Sequence, residues 1–391
     1  MPDVAMQLIA ITPPYFYANE AVAIANAIAD GFNRVHIRKP GSTIEQMKHL
    51  LEAIPPELRR YISLHDHTML AKSYGIGGVH LNSRNTAVPE GFNGIVSCSA
   101  HTPDEARQAT ADYVLLSPIF PSFSKPGYTS HYSFEEMAAA ASPRVIALGG
   151  VARTDLMTLE KAGFGGAAML TEAWRKPMDM HAFRLQFITH PTPARNVVEG
   201  ALMALEGGCR WLQLRHKDAD IDTLINEGTH IAEMCHKYGA TFIVDDHVEL
   251  VDRLDADGVH LGQNDMPVNQ ARRILGPSKI IGATANTYSM LFEAARAGAD
   301  YAGVGPFRFT TTKTNLSPVL GLQGYSEITK CCNHDGVRIP IVAIGGITPN
   351  DIPEIMQTGV DGIAASSTIL NAANPIIATT NILNSLENNK Q

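Results

Sequence analysis

Cysteine is scarce in this chain, and no apolar run is long. The five cysteines among 391 residues have neither CxxC spacing nor the spacing of a disulfide framework, which fits a reducing compartment. No stretch approaches the roughly 20 apolar residues that a membrane-spanning helix needs. The N-terminus also lacks a basic segment followed by an apolar one, the pattern of a secretory signal. We therefore expect a cytoplasmic protein without a membrane partner.

A basic excess is also missing. Lysine and arginine number 31 against 39 acidic residues, a formal net charge of -8, which argues against nucleic acid as a partner. This balance leaves phosphorylated substrates open, because they need only local positive charge. Hydrophobic residues make up 45% and charged residues 18% of the chain, an ordinary globular composition.

The chain repeats itself once. Several motifs recur in the same order, and the offset between copies grows by loop-sized steps from 177 residues (Leu8 to Leu185) to 196 residues (Ala147 to Ala343). The paired motifs are LIAITPP and LQFITHP, VHIRKP and LQLRHK, LHDH and VDDH, GVHL and GVHL, and ALGGV and AIGGI. The order and spacing indicate one ancestral unit that has been duplicated.

Within each unit, short apolar strands alternate with amphipathic or alanine-rich helical stretches. Continuous apolar strands separated by helices predict a parallel sheet that is covered on both faces. Eight such βα units favour a closed barrel over an open doubly wound sheet, so the predicted class is α/β with two tandem (β/α)8 TIM barrels. We place the first barrel at residues 1–175 and the second at residues 182–391, with a linker at Arg175–His181 between them.

A polar loop follows the predicted sixth strand of each unit. Hydroxyls beside one ammonium suit an anion, since the hydroxyls donate to phosphate oxygens and lysine supplies charge. The alternative is a polar surface loop. The loop residues are Ser122, Ser124 and Lys125 in the first copy and Thr310, Thr312 and Lys313 in the second.

Further polar residues follow the strands of the second unit, where a barrel of this class carries its active site. Gln213, Arg215 and Lys217 share one side with period two, and their charges suit a diphosphate or an ion pair with a nearby carboxylate. The carboxylates of Asp246 and Asp265 suit Mg²⁺, although Asp265 also suits a helix cap.

As an ordered set, these motifs resemble thiamin phosphate synthase over essentially the whole second half. The motifs that carry the resemblance are LQLRHK, DDHVEL, GVHLGQND, GATANT, DYAGVGP with TTTK, AIGGI, and the Ser367 end. That family is a group of transferases that join a hydroxymethylpyrimidine diphosphate to a thiazole phosphate and release pyrophosphate. By resemblance, the diphosphate contacts Arg215, Lys217 and Lys313, Mg²⁺ binds Asp246 and Asp265, the pyrimidine faces Gln213 and Thr284, and the thiazole phosphate contacts Thr310, Thr312, Gly346 and Ser367. This chain departs from the family pattern at Asp245, usually asparagine, which we place near the diphosphate, and at Thr284, usually serine.

The first half differs at the same positions. Arg38 is retained, but Pro40 replaces the lysine two residues later, His36 replaces the glutamine, and Asn85 replaces the second metal carboxylate. The phosphate end, with Ser122, Ser124, Lys125 and Gly150, is kept. This half is similar to thiazole tautomerase relatives of the synthase, which implies that His101 is an acid/base catalyst. The alternatives are a surface or capping role for His101, and a half that is a non-catalytic regulatory or dimer-mimicking module.

Two further alternatives concern metals and substrates. A transition-metal site at His65, His67 and His80 is disfavoured, because His67 and His80 recur as His247 and His260. A different phosphate-binding barrel, such as an isomerase of sugar phosphates or indole precursors, is disfavoured by the Gln-x-Arg-x-Lys spacing. The expected partners are therefore small-molecule substrates and Mg²⁺, together with a pseudo-dimer of the two barrels or a homo-oligomer.

Overall fold

Short parallel strands build two separate sheets, and each sheet closes on itself with eight strands. The computed structural model of the protein describes residues 6–120, 132–174, 181–309 and 318–388. The first barrel contains β1 (Gln7–Ile11), β2 (Arg34–Ile37), β3 (Ile62–Leu64), β4 (Gly78–Leu81), β5 (Ile95–Ala100), β6 (Tyr113–Leu116), β7 (Val145–Leu148) and β8 (Gly166–Met169). The second contains β9 (Leu185–Ile188), β10 (Trp211–Leu214), β11 (Thr241–Asp245), β12 (Gly258–Leu261), β13 (Ile280–Ala285), β14 (Tyr301–Val304), β15 (Ile341–Ile344) and β16 (Gly362–Ala365).

The strands of each barrel follow one another in chain order around the sheet. The first barrel closes where Gln7 of β1 pairs with Gly166 of β8, and the second closes where Leu185 of β9 pairs with Ile363 of β16. All of these pairs are parallel, so the carboxyl ends of eight strands meet at one mouth of each barrel.

Helices connect the strands. Those of the first barrel are α1 (Glu20–Ala29), α2 (Ile44–Ala53), α3 (Ala71–Tyr74), α4 (Pro103–Gln108), α5 (Phe134–Ala138) and α6 (Leu156–Lys161), with 3-10 helices at Pro56–Tyr61, Thr68–Leu70 and Arg153–Asp155. Those of the second are α7 (Val197–Glu206), α8 (Ile221–Tyr238), α9 (Leu250–Arg253), α10 (Val268–Leu275), α11 (Tyr288–Ala297), α12 (Gly321–Asp335), α13 (Ile352–Gln357), α14 (Ser367–Leu370) and α15 (Pro375–Asn388), with 3-10 helices at Ala182–Arg184 and Pro349–Asp351.

Local sequence fixes where several of these helices begin and end. Asn196 and Glu199 form a reciprocal capping box at the start of α7, in which each side chain accepts from the other residue's backbone N–H. Asp220 caps α8 by accepting from Thr223 N, and Gly239 ends that helix in the left-handed conformation. These caps satisfy backbone groups at the ends of the helices.

Apolar side chains fill the barrels below the mouths. In the second barrel Trp211 and Tyr301 are fully buried, and their rings meet edge to face at 4.8 Å. Gly282 leaves room for the Tyr301 ring, because a Cβ there would lie 2.1 Å from Tyr301 Cζ. In the first barrel a corresponding cluster contains Ile9, Ile11, Tyr113, Leu115, Ile146 and Ala168.

The prediction of two tandem (β/α)8 barrels is confirmed, and the chain divides into two compact units, one around each barrel. The apolar run that includes Ile339 becomes a strand only at Ile341, because Pro340 has no N–H to offer a neighbouring strand. None of the helices within the described residues is long and apolar enough to cross a membrane.

Candidate active site

In the second barrel, Gln213 and Arg215 are held by a carboxylate from the neighbouring strand. Gln213 Nε2 donates to Asp245 Oδ1, and Arg215 Nε lies 3.1 Å from Asp245 Oδ2. The backbone of Arg215 is fixed by Thr189, whose hydroxyl accepts from Arg215 N at 2.8 Å and donates to Arg215 O at 3.1 Å. The departure from the family pattern at Asp245 thus has a structural use, since one carboxylate orients two of the predicted site residues.

The predicted metal ligands meet beside this network. Asp246 has a positive φ of 62°, a conformation that aspartate tolerates better than most residues. Its carboxyl group shares a hydrogen bond with Asp265, while Asp265 Oδ2 also accepts from Gly262 N at 2.6 Å. Desolvation is the largest cause that raises the pKa of Asp246 to about 8, and repulsion from Asp245 and Asp265 adds to it. Arg215 acts in the opposite direction and lowers this pKa.

This donor set fits Mg²⁺. Mg²⁺ prefers oxygen ligands and is commonly held by one or two carboxylates together with water and substrate phosphate oxygens. Asp246 and Asp265 supply two carboxylates that raise each other's energy when both are ionised, and a divalent cation removes that repulsion. The backbone strain at Asp246 lies at the residue where a ligand would bind, as is common at functional sites.

A series of hydrogen-bonded side chains supports Thr284 from below. Thr284 Oγ1 lies 3.0 Å from His260 Nε2, and His260 Nδ1 lies 3.0 Å from the hydroxyl of Tyr301. That hydroxyl also accepts from Gln186 Nε2 at 3.0 Å. Sequence reasoning missed this series because Gln186, His260 and Tyr301 lie within strands and not after them. These hydrogen bonds fix the orientation of the Thr284 hydroxyl at the barrel mouth.

The glycine pair after β15 shapes the predicted phosphate end. Gly345 and Gly346 have φ angles of 104° and 68°, which a side chain at either position would make unfavourable. The guanidinium of Arg308 donates to Gly346 O at 3.1 Å and to the two oxygens of Asp351 at 2.8 and 2.7 Å. Arg308 was not among the predicted site residues, and it fixes the loop that contains Gly346.

The end of β16 holds a second hydroxyl. Ser367 begins α14, and the preceding Ser366 donates to the carbonyl of Ile188. His190 Nδ1 lies 2.7 Å from Ser366 Oγ. These contacts tie the first and last strands of the barrel together at the mouth, next to the predicted phosphate position.

The remaining predictions for the second barrel concern cations and hydroxyls. Lys217 is exposed after β10, so its predicted contact with a diphosphate stays a prediction. Thr310, Thr312 and Lys313 lie outside the described residues.

The first barrel repeats one part of this arrangement. Arg38 N donates to Thr12 Oγ1 at 3.0 Å, the contact that Arg215 makes with Thr189 in the second barrel. Burial, with Arg84 nearby, lowers the pKa of Arg38. Two guanidinium groups therefore lie close together at this mouth.

The carboxylate pair of the second barrel has no equivalent in the first. Asp66 Oδ2 accepts from Lys39 N at 2.9 Å, and its Oδ1 accepts from Arg84 Nε and Nη2 at 3.2 and 3.1 Å. Asn85, at the position of the second metal carboxylate, instead donates its amide to His65 O at 2.7 Å. A guanidinium therefore neutralises Asp66, which leaves this carboxylate a poor Mg²⁺ ligand.

The displaced lysine of the first barrel is buried away from the mouth. Lys39 is 0% exposed, and its ammonium donates to Pro13 O at 2.8 Å, Tyr15 O at 2.6 Å and Glu20 Oε1 at 2.5 Å. Burial raises the pKa of Glu20 to about 7, although Lys39 lowers it. Lys39 thus belongs to a buried ion pair, and it does not replace Lys217.

Three buried imidazoles occupy the interior of the first barrel. His36 Nδ1 lies 2.7 Å from His65 Nε2, and the His65 and His80 rings stack with centroids 3.9 Å apart. His36 Nε2 is also hydrogen-bonded to the hydroxyl of Tyr113. Desolvation lowers the pKa of all three, that of His80 to about 3. The sequence grouping of His65 with His67 missed His36, and His67 instead donates to Ser42 O at 2.8 Å.

The predicted acid/base residue of the first barrel lies at the end of β5. His101 Nδ1 donates to Ser117 O at 3.1 Å, and its backbone N–H donates to Glu105 at 2.7 Å. Gly149 and Gly150 have positive φ angles, like the glycine pair of the second barrel. Ser122, Ser124 and Lys125 lie outside the described residues.

Comparisons with known proteins match both halves. The sequence model of the thiamine monophosphate synthase family matches residues 8–173 and again residues 185–369. The thiamine-phosphate synthase of Phocaeicola vulgatus is 55% identical over 207 residues, which cover 53% of this chain and 100% of that protein. The thiamine-phosphate synthase of Bacteroides thetaiotaomicron is 54% identical over 200 residues, 51% of this chain and 96% of that protein. Among solved structures, a thiamine phosphate pyrophosphorylase from Pyrococcus furiosus is 34% identical with a TM-score of 0.49, over 54% of this chain and 99% of that one.

Proposed function

The chain belongs to the thiamine monophosphate synthase family, and on this premise we propose that its second barrel is a thiamin phosphate synthase. It joins a hydroxymethylpyrimidine diphosphate to a thiazole phosphate and releases pyrophosphate. The observation that carries the proposal is the meeting of Arg215 and two carboxylates, Asp246 and Asp265, at one barrel mouth. Cation and carboxylate side by side suit a diphosphate that is bound together with a divalent metal.

Asp246 and Asp265 would hold Mg²⁺. When bound, the ion would neutralise charge on the diphosphate oxygens and favour departure of pyrophosphate. The donor set described above is the support for this assignment.

The residues of the chain bind and orient the two substrates. Arg215, held by Asp245, would face the diphosphate, and Lys217 and Lys313 would supply further positive charge. The bond between the pyrimidine methylene carbon and the diphosphate oxygen breaks, and its electron pair leaves with pyrophosphate. The lone pair of the thiazole nitrogen then forms the new carbon–nitrogen bond. These cations stabilise the charge that develops on the leaving group, so no protein nucleophile is needed.

Gln213 is suited to the pyrimidine. Its Nε2 is used by Asp245, whereas its buried Oε1 has no hydrogen-bond partner among the described residues. A buried, unpartnered carbonyl oxygen costs about 1–3 kcal/mol until a donor reaches it. The amino group of the pyrimidine is such a donor, which would favour this ring over one that lacks the group.

The test uses the full chain and both thiamin precursors. Pyrophosphate release should require Mg²⁺, and Asp265→Asn should reduce it more than about 100-fold, since even indirect supports of a metal are worth 10–100-fold. Asp66→Asn is the matched control in the first barrel and should leave release unchanged. Normal release by Asp265→Asn would refute the metal assignment, and absence of release in the parent chain would refute the function.

For the first barrel we propose a thiazole phosphate tautomerase in which His101 moves the proton. The position of His101 at the end of β5, in a barrel that retains the glycine pair after β7, supports this proposal. His101→Ala should abolish isomerisation of the thiazole phosphate and leave pyrophosphate release unchanged. A parent chain without isomerisation would favour the alternative, a non-catalytic regulatory or dimer-mimicking half.

A further inference from the structure

The imidazoles of the first barrel stand where the second barrel carries its substrate-orienting pair. His36 and His65 take the positions of Gln213 and Asp245 on β2 and at the end of β3, next to a histidine that both barrels share. That shared histidine is His80, the counterpart of His260. The first barrel has thus gathered three imidazoles from three consecutive strands.

Their geometry suits one metal ion. A ring nitrogen from each of His36, His65 and His80 lies within 4.8 Å of the other two. Imidazole nitrogens bind Zn²⁺ at about 2.0–2.1 Å, so three such ligands around one ion lie roughly 3–4 Å apart. The rings of His65 and His80, which stack with centroids 3.9 Å apart, would have to turn so that their nitrogens converge on the ion. From this arrangement we propose that His36, His65 and His80 form a binding site for a divalent transition-metal ion, with Zn²⁺ as the expected occupant.

The surroundings prepare the rings for this role. A metal-binding imidazole must be neutral, and all three side chains are buried, a setting that disfavours the charged imidazolium form. Hydroxyls hold the rings from outside, since Tyr113 contacts His36 Nε2 while Ser97 and Ser99 each lie 2.9 Å from a ring nitrogen of His80. Partners of this kind fix the tautomer and orientation of metal ligands.

Ion binding would exchange existing contacts for metal–nitrogen bonds. The hydrogen bond of 2.7 Å between His36 and His65 would open, and His80 would release one of its two serine contacts. Three neutral ligands leave the ion with its full charge, and a tetrahedral ion with three protein ligands keeps a fourth position for water or an anion. Such an open position is typical of catalytic zinc rather than structural zinc. Ion binding at these histidines does not require that the proposed synthase and tautomerase functions are correct.

Co²⁺ is the spectroscopic probe, because a tetrahedral cobalt–imidazole complex absorbs visible light whereas Zn²⁺ does not. The purified full chain, stripped with a chelator and kept in excess Mg²⁺ to saturate carboxylates, is titrated with Co²⁺ and then with Zn²⁺. We expect one ligand-field absorption band that saturates at one Co²⁺ per chain and disappears when Zn²⁺ displaces it.

Two variants install residues that the second barrel already carries. His36→Gln should weaken Co²⁺ binding at least about 100-fold, since even loss of an outer partner costs 10–100-fold. His65→Asp should retain weaker binding with a shifted spectrum, because a carboxylate oxygen can replace the nitrogen. His49→Gln, on the exposed face of α2, is the control and should change nothing.

Absence of a stoichiometric band in the parent chain, or a band that is unaffected in both His36→Gln and His65→Asp, would show that the cluster is a hydrogen-bonded stack only. Should one variant fail to fold, the other and the parent titration still decide.

Discussion

Two lysines follow the second strands of the barrels, and their replacement by methionine should affect different properties, stability in one case and pyrophosphate release in the other. Lys39 is 0% exposed and its ammonium makes three contacts of 2.5 to 2.8 Å, one of them to the Glu20 carboxylate. Lys217 is exposed at the mouth of the second barrel. We expect Lys39→Met to destabilise the first barrel without affecting pyrophosphate release. Lys217→Met should reduce release without affecting stability.

The size of the first effect follows from the buried partner. Removal of one member of a buried ion pair costs about 3–5 kcal/mol where the other member stays ionised, because that charge is left without compensation. With a urea dependence of about 2 kcal/mol per molar, this lowers the unfolding midpoint of the first barrel by roughly 1.5–2.5 M.

The loss should also depend on pH. Glu20 has a folded-state pKa raised to about 7, so its ionisation reduces stability as the pH rises through that value. Without Lys39, which lowers this pKa, the ionised carboxylate is still less favourable. The destabilisation by Lys39→Met should therefore be greater at pH 9 than at pH 6.

The two tryptophans of the chain make the measurement specific. Trp174 lies in the first barrel, where its indole N–H donates to Ile11 O at 2.7 Å, and Trp211 is buried in the second. In a Trp211→Phe background, fluorescence during urea unfolding reports on the first barrel alone. Adding Glu20→Gln to Lys39→Met should recover part of the lost stability, because it removes the uncompensated charge.

One pattern would refute this reasoning. A Lys39→Met chain that unfolds like its parent but releases less pyrophosphate would place Lys39 at the substrate, not in a buried ion pair.

Two further changes test the supports of the second barrel. Tyr301→Phe removes a hydroxyl shared by His260 and Gln186 and should lower the free energy of unfolding of the second barrel by about 1–3 kcal/mol. Trp211 fluorescence in a Trp174→Phe background measures this, and unchanged stability would contradict the series of hydrogen bonds. Arg308→Gln should raise the KM for the thiazole phosphate by up to about fivefold with little change in kcat, since exposed ion pairs are worth about 1 kcal/mol or less. A fall in kcat at constant KM would instead give Arg308 a direct part in the reaction.

The fold could be predicted because its information is local and repeated. Most strands are short apolar runs, several of them are followed by polar residues at a barrel mouth, and the whole pattern occurs twice. The approach of Asp246 to Asp265 followed from a similar rule, since Asp246 directly follows β11 and Asp265 lies in the loop after the neighbouring β12. Side chains at strand ends are brought together by topology alone.

Contacts that depend on side-chain direction could not be predicted in this way. Lys39 follows a strand as Arg38 does, yet it turns into the loop after β1 and binds Glu20, a partner that no spacing rule selects. Arg84 directly precedes Asn85, the residue that replaces the second metal carboxylate. Its guanidinium supplies the charge that neutralises Asp66. For His36 a usable pattern did exist, because two adjacent strands exchanged their polar residue for histidine together.

The ion pair between Arg84 and Asp66 also affects whether the first barrel could regain the metal ligands of the second. Asn85→Asp alone would place a carboxylate near a charge that Arg84 already satisfies, so a metal ion would have to displace an arginine first. A lysine would still be missing at Pro40, and His36 and His65 would still fill the space of the pyrimidine-orienting pair. Each single reversion is therefore expected to gain nothing by itself. The first barrel is separated from its sister by steps that must be taken together, which makes its divergence effectively one-way.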